Sequence, residues 1–138
     1  MECNLEKTLS IRLALLEERV LEMRKFLRTP GYRGNFYSLT QDLSPREREE
    51  MDALLEEVLQ ILNSLKGETS IPAHEEKTSR ILAGMANTAF VSGLELEPKR
   101  MKGYGGDTPQ YQEIWETRLR PIRDLFHALA QKTEEARK

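Results

Sequence analysis

The stretch RLRPIRDLFH, residues 118–127, gathers the side chains best suited to chemistry. At 100° per residue on a helix, Glu116, Arg120, Arg123 and His127 fall within about 60° of one another. A histidine can move a proton near neutral pH, and an arginine can stabilise developing negative charge. Set side by side, the two could serve phosphoryl chemistry. The same spacing also fits a solvated flank on which Glu116 pairs with Arg120 at i,i+4. The segment GYGGDTPQY, residues 103–111, is the second candidate, because a glycine-rich loop opening a helix can cradle an anion. A phosphate loop, however, needs a preceding strand and a lysine after the glycines, and here Lys102 precedes them. Nine basic residues face eight acidic ones over segments 24–50 and 95–113, so charge does not favour an anion there either. No Glu-x-x-His occurs, His74 has no carboxylate three residues before it, and the lone Cys3 cannot build a thiolate zinc site. The chain is expected to hold no metal and no cofactor, and no residue is assigned a catalytic role on this reading.

Four helical patterns must position these residues. Leu9, Leu13, Leu16, Val20, Met23 and Leu27 form one stripe, predicting a helix over about 5–28 that Pro30-Gly31 ends. Ser44, Pro45 and Glu47 make a capping box for a helix over 45–66, with Met51, Leu55, Val58, Leu62 and Leu65 widened by Leu54 and Ile61, and Gly67 as its stop. A third helix is predicted over 72–94, with Leu82, Met85, Ala86, Ala89 and Gly93 inward. A fourth runs over 109–136, opened by Thr108 and Pro109, carrying Trp115, Leu119, Ile122, Phe126 and Leu129. Pro121 falls inside it and predicts a kink. Strand patterns are absent, so the expected fold is all-α: one domain over 1–138, a four-helix, mostly antiparallel up-down-up-down bundle.

On the last helix, Arg120, six further residues and His127 resemble the Arg-x(4–6)-His motif of the HEPN superfamily, all-helical ribonucleases and toxin components. The resemblance covers about eight residues, and Pro121 stands where that motif has a polar residue. It implies RNA cleavage across a dimer interface, with His127 polarising the attacking 2′-hydroxyl or the leaving group and Arg120 stabilising phosphorane charge. Nucleic acid is a partner only on this alternative.

The up-down order puts loops 29–43 and 95–107 at one end, where eight of the nine aromatic residues gather, all four tyrosines among them. The favoured reading is a non-catalytic binding module in which Tyr32, Arg33, Tyr37, Lys102, Tyr104 and Trp115 contact a partner protein or a small anionic or aromatic ligand. The stripe on the second helix is wide, Leu15, Leu21, Leu59, Ile81, Leu94 and Leu125 lie off the main stripes, and a homodimer is expected from them. Net charge is −2, from 21 Lys+Arg against 23 Asp+Glu, which offers no field for nucleic acid or an anionic membrane. With one cysteine, a polar amino terminus and no long apolar run, a cytoplasmic setting without membrane contact is expected.

Overall fold

The structure is a computed structural model that describes residues 3–29, 31 and 33–137. It is all-α: α1 (Cys3–Arg28), α2 (Pro45–Glu68), α3 (Thr78–Leu94), a 3-10 turn (Lys102–Tyr104), α4 (Pro109–Ile114), a π-helical segment (Trp115–Leu119) and α5 (Arg120–Arg137). The only strand-like pairing among the described residues is one antiparallel bridge, Arg33 with Ser38. The chain divides into two compact units, Met1–His74 and Glu75–Lys138, so the two long loops belong to different units.

The first unit is an antiparallel hairpin of α1 and α2. Thr29 closes α1, its N–H and hydroxyl both donating to the Lys25 carbonyl. Pro30, expected to end this helix, lies outside the described residues. The capping box of α2 forms as its residues dictate: Glu47 N–H donates to Ser44 Oγ at 3.1 Å, and Ser44 N–H to Glu47 Oε1 at 2.9 Å. Gly67 does not stop α2. Among the described residues only Gly105 has a positive φ, so Gly67 serves as an ordinary helical residue. The helix ends instead where Thr69 turns extended and gives both its N–H and its hydroxyl to the Leu65 carbonyl.

The third helix starts at Thr78 rather than near Pro72. Residues 70–77 form no regular element instead. Ile71 is buried, Lys66 Nζ donates to its carbonyl at 2.7 Å, and Ser10 Oγ donates to the Pro72 carbonyl at 2.7 Å. Those side-chain bonds occupy the carbonyls that an earlier helix would need.

The second unit packs α3 against α5. Ala83 and Ala86 are buried, and a Cβ on Gly93 would stand 3.1 Å from Arg123 Cβ, so small side chains permit the close approach. Of the expected inward face, Ala86, Ala89 and Gly93 do face the partner helix. Leu82 and Met85 do not, and stand 41% and 65% exposed. Pro121 has no N–H to give, and the turn just before it widens, Arg120 N–H reaching the Trp115 carbonyl. The helical course thus continues through the proline by way of a π turn.

Candidate functional site

Hairpin α1–α2 is joined along a seam that is partly charged. Arg24 pairs with Asp52 at 2.9 Å and Glu56 at 2.5 Å, and Arg28 reaches Asp52 at 3.0 Å. The two guanidinium groups hold the Asp52 carboxyl at about 2, below its ordinary 3.8, and the Arg24 guanidinium is raised in turn, first by its bond to Asp52. Around these pairs Val20 is buried, and Leu13, Leu55, Leu59 and Leu62 are half-buried.

The seam does not use the whole apolar stripe of either helix. On α1, Leu5, Leu16 and Met23 lie within about 20° of one another, roughly 90° away from the seam residues Leu13, Val20 and Arg24. On α2, Met51, Leu54, Val58 and Ile61 are offset by roughly 100° from Asp52, Leu55, Leu59 and Leu62. Both offsets run in the same rotational sense along the chain. Because the helices are antiparallel, both open stripes emerge on one side of the hairpin. The shared groove there, about 460 Å3, is lined from both helices by Met23, Phe26, Met51 and Leu54. Exposure is large: Leu54 64%, Ile61 62%, Leu16 51%, Met23 49%.

Gly31 and residues 39–43 border that groove. Gly31 is pressed so closely on the chain that a Cβ would meet the Leu39 carbonyl oxygen at 2.5 Å. Arg33 bridges Ser38, and Gly34 N–H donates to the Tyr37 carbonyl at 2.7 Å, which makes a tight turn with Phe36 at its tip. Phe36 is fully exposed and Tyr37 is 59% exposed. The structure therefore brings Arg33 and Tyr37 onto one turn; Tyr32 lies outside the described residues.

Lys102 and Tyr104 share the 3-10 turn of the second unit, where Tyr104 is 85% exposed beside Arg100 and Met101. The turn is fixed by its glycines. Gly105 closes it at φ 86°, and a Cβ on Gly106 would stand 2.4 Å from Met101 Cβ. Thr108 caps α4 by accepting from Tyr111 N–H, as its position beside Pro109 predicts, and the Tyr111 hydroxyl donates to the Leu96 carbonyl. Trp115 is buried at 6% exposure, with the Arg123 guanidinium 5.4 Å from its ring centre. Arg123 also meets Glu97 at 3.4 Å and Asp124 at 2.9 Å.

Arg120 and His127 are not joined by any contact. Arg120 is engaged by Glu116 at 2.8 Å, and the His127 ring lies 5.5 Å from Phe90 in a shallow groove that also presents Glu134 and Glu135. Carboxylates beside the histidine repel a phosphodiester. Among the described residues no group of three or more His, Cys, Asp or Glu is placed to hold a metal, and no helix is long and apolar enough to cross a membrane.

Periodicity places the stripes of α1 and α2 inward, and the width of the α2 stripe points to self-association: α2 carries apolar residues over more of its circumference than one neighbouring helix can cover. Of the off-stripe residues, Leu59 and Leu94 are half-buried, while Leu15, Leu21, Ile81 and Leu125 are exposed. Comparison of the chain with known protein families, with curated proteins and with solved structures returns no match.

Proposed function

We propose that this chain is a non-catalytic interaction module, acting as a homodimer, whose principal contact surface is the open apolar side of hairpin α1–α2. One observation carries the reading: a groove lined from both helices by half-exposed methionine, phenylalanine and leucine, on a hairpin whose own seam is already closed by ion pairs. Folded chains rarely leave a contiguous apolar patch of more than a few hundred Å2 in water without a partner for it.

The exposed turns add the polar and aromatic part of the module. Arg33 and Tyr37 on one turn, with Phe36 at its tip, and Lys102 and Tyr104 on the other, offer the residue types that dominate protein contacts. Each turn suits a partner protein or a small anionic or aromatic ligand, whereas Trp115 is buried and offers it no open face.

The test is Leu54→Glu combined with Ile61→Glu. Both residues are more than 60% exposed, so the fold tolerates the change. The expected result is unchanged helical circular dichroism together with lost self-association by light scattering. A wild-type chain that stays at 16.0 kDa at every concentration would refute the reading, as would a variant that associates normally.

A further inference from the structure

Resting on that reading, we infer that two copies of this chain close their open sides on each other about a two-fold axis running along the helices, so that α1 of each lies on α2 of the other. The inference starts from the amount of apolar surface. Eight large residues, Phe26 and Val58 among them, stand between 39% and 64% exposed on this side. At roughly 200 Å2 for a free residue, they offer on the order of 800 Å2 per chain, the share that each partner gives to a standard interface.

The charges along the two rims then choose the symmetry. At 100° per residue, the outer edge of the open side carries Arg12 and Arg19 on α1, and Glu57 and Glu68 on α2. All four are exposed, and none is engaged in an ion pair or hydrogen bond among the described residues. Glu50 lies on the same rim but is already taken by Arg46 at 3.0 Å. One rim is therefore cationic and the other anionic.

Two two-fold arrangements bring the open sides together. With the axis across the helices, each α1 lies on its own copy and the arginine rims face each other. With the axis along the helices, α1 meets the other chain's α2 in antiparallel fashion, and every residue keeps its height. Arg24 pairs with Asp52 within the hairpin, and Arg19 lies five residues before the one while Glu57 lies five after the other. Arg19 of one chain thus stands level with Glu57 of the next, and Arg12 comes within about a turn of Glu68. Like charges exclude the first arrangement, and unlike charges at matched height favour the second.

The experiment is a charge exchange in the full chain: Arg19→Glu, Glu57→Arg, and both together, with the dimer dissociation constant measured by analytical ultracentrifugation at low salt. Each single reversal acts twice in the dimer and is expected to weaken association about tenfold, and the double exchange to restore most of it. A second measurement fixes the geometry. In a Cys3→Ser background, chains carrying Arg19→Cys are mixed with chains carrying Glu57→Cys under mild oxidation. Disulfide-linked pairs should form between the two kinds of chain and not within either kind. Within one hairpin the two positions lie on opposite rims, so a cross-link reports a contact between chains. A dimer that shows no coupling in the exchange, or that links Arg19→Cys chains to one another, would overturn this symmetry and leave the interaction module standing. A monomer at all concentrations would overturn both.

Discussion

Replacing Trp115 by alanine separates a packing role from a recognition role. The side chain is 6% exposed, and Arg123 covers one face of its ring. Burying an aromatic of this size withdraws on the order of 200 Å2 from water, worth roughly 5 kcal/mol at 25 cal/mol per Å2. Alanine recovers little of that, and the groups around the vacated site relax only in part, so the expected cost is about 3–5 kcal/mol. Loss of the cation–π contact adds less than about 1 kcal/mol, because Arg123 keeps Glu97 and Asp124. Against a total stability of about 5–15 kcal/mol, this is a large share. Urea denaturation followed by far-ultraviolet circular dichroism is the suitable assay, since the variant removes the only tryptophan. Trp115→Phe should recover more than half of the loss by refilling the site. A midpoint shift for Trp115→Ala worth less than about 1 kcal/mol would refute the packing argument, since burial of a whole indole cannot be that inconsequential.

Three further outcomes follow from particular contacts. The Asp52 carboxyl sits at about 2 against an ordinary 3.8, so its ionised form stabilises hairpin α1–α2 above about pH 4. That contribution fades as the pH falls toward 2, and Asp52→Asn should flatten the acid limb of a stability profile measured by chemical denaturation. Gly106→Ala would place a Cβ 2.4 Å from Met101 Cβ and 2.7 Å from its carbonyl oxygen, whereas at Gly103 nothing lies within 4 Å. Thermal melting should therefore show Gly106→Ala destabilised by about 1–3 kcal/mol and Gly103→Ala within about 0.5 kcal/mol of the parent. Purified chain should leave structured and single-stranded RNA intact on a gel, because Arg120 is held by Glu116 while His127 shares its groove with Glu134 and Glu135. RNA cleavage that disappears on His127→Ala would restore the ribonuclease reading.

The helices were legible in the sequence because local rules and apolar periodicity agreed there. Ser44, Pro45 and Glu47 cap α2, and Thr108 with Pro109 opens α4, as their residue types require. The start of α3 was not legible. Ser10 and Lys66 hold the carbonyls of Pro72 and Ile71, respectively, and no local pattern announces the Ser10 bond across 62 residues. Gly67 misled for a related reason: a glycine ends a helix only when its φ turns positive, and Thr69 makes the stop instead.

Of the candidate surface only the width of the α2 stripe was legible, and its location was not. A stripe of leucines locates the apolar side of a helix but not the direction in which its neighbour lies. Here ion pairs set that direction. Arg24 and Arg28 must reach Asp52 and Glu56, which rotates both helices so that the seam falls on the edge of each stripe. The remainder of each stripe is then displaced onto one open side. The charged residues at positions 24, 28, 52 and 56 thus share the seam with Leu13, Val20, Leu55, Leu59 and Leu62, while Met23, Met51, Leu54 and Ile61 stay exposed on the open side.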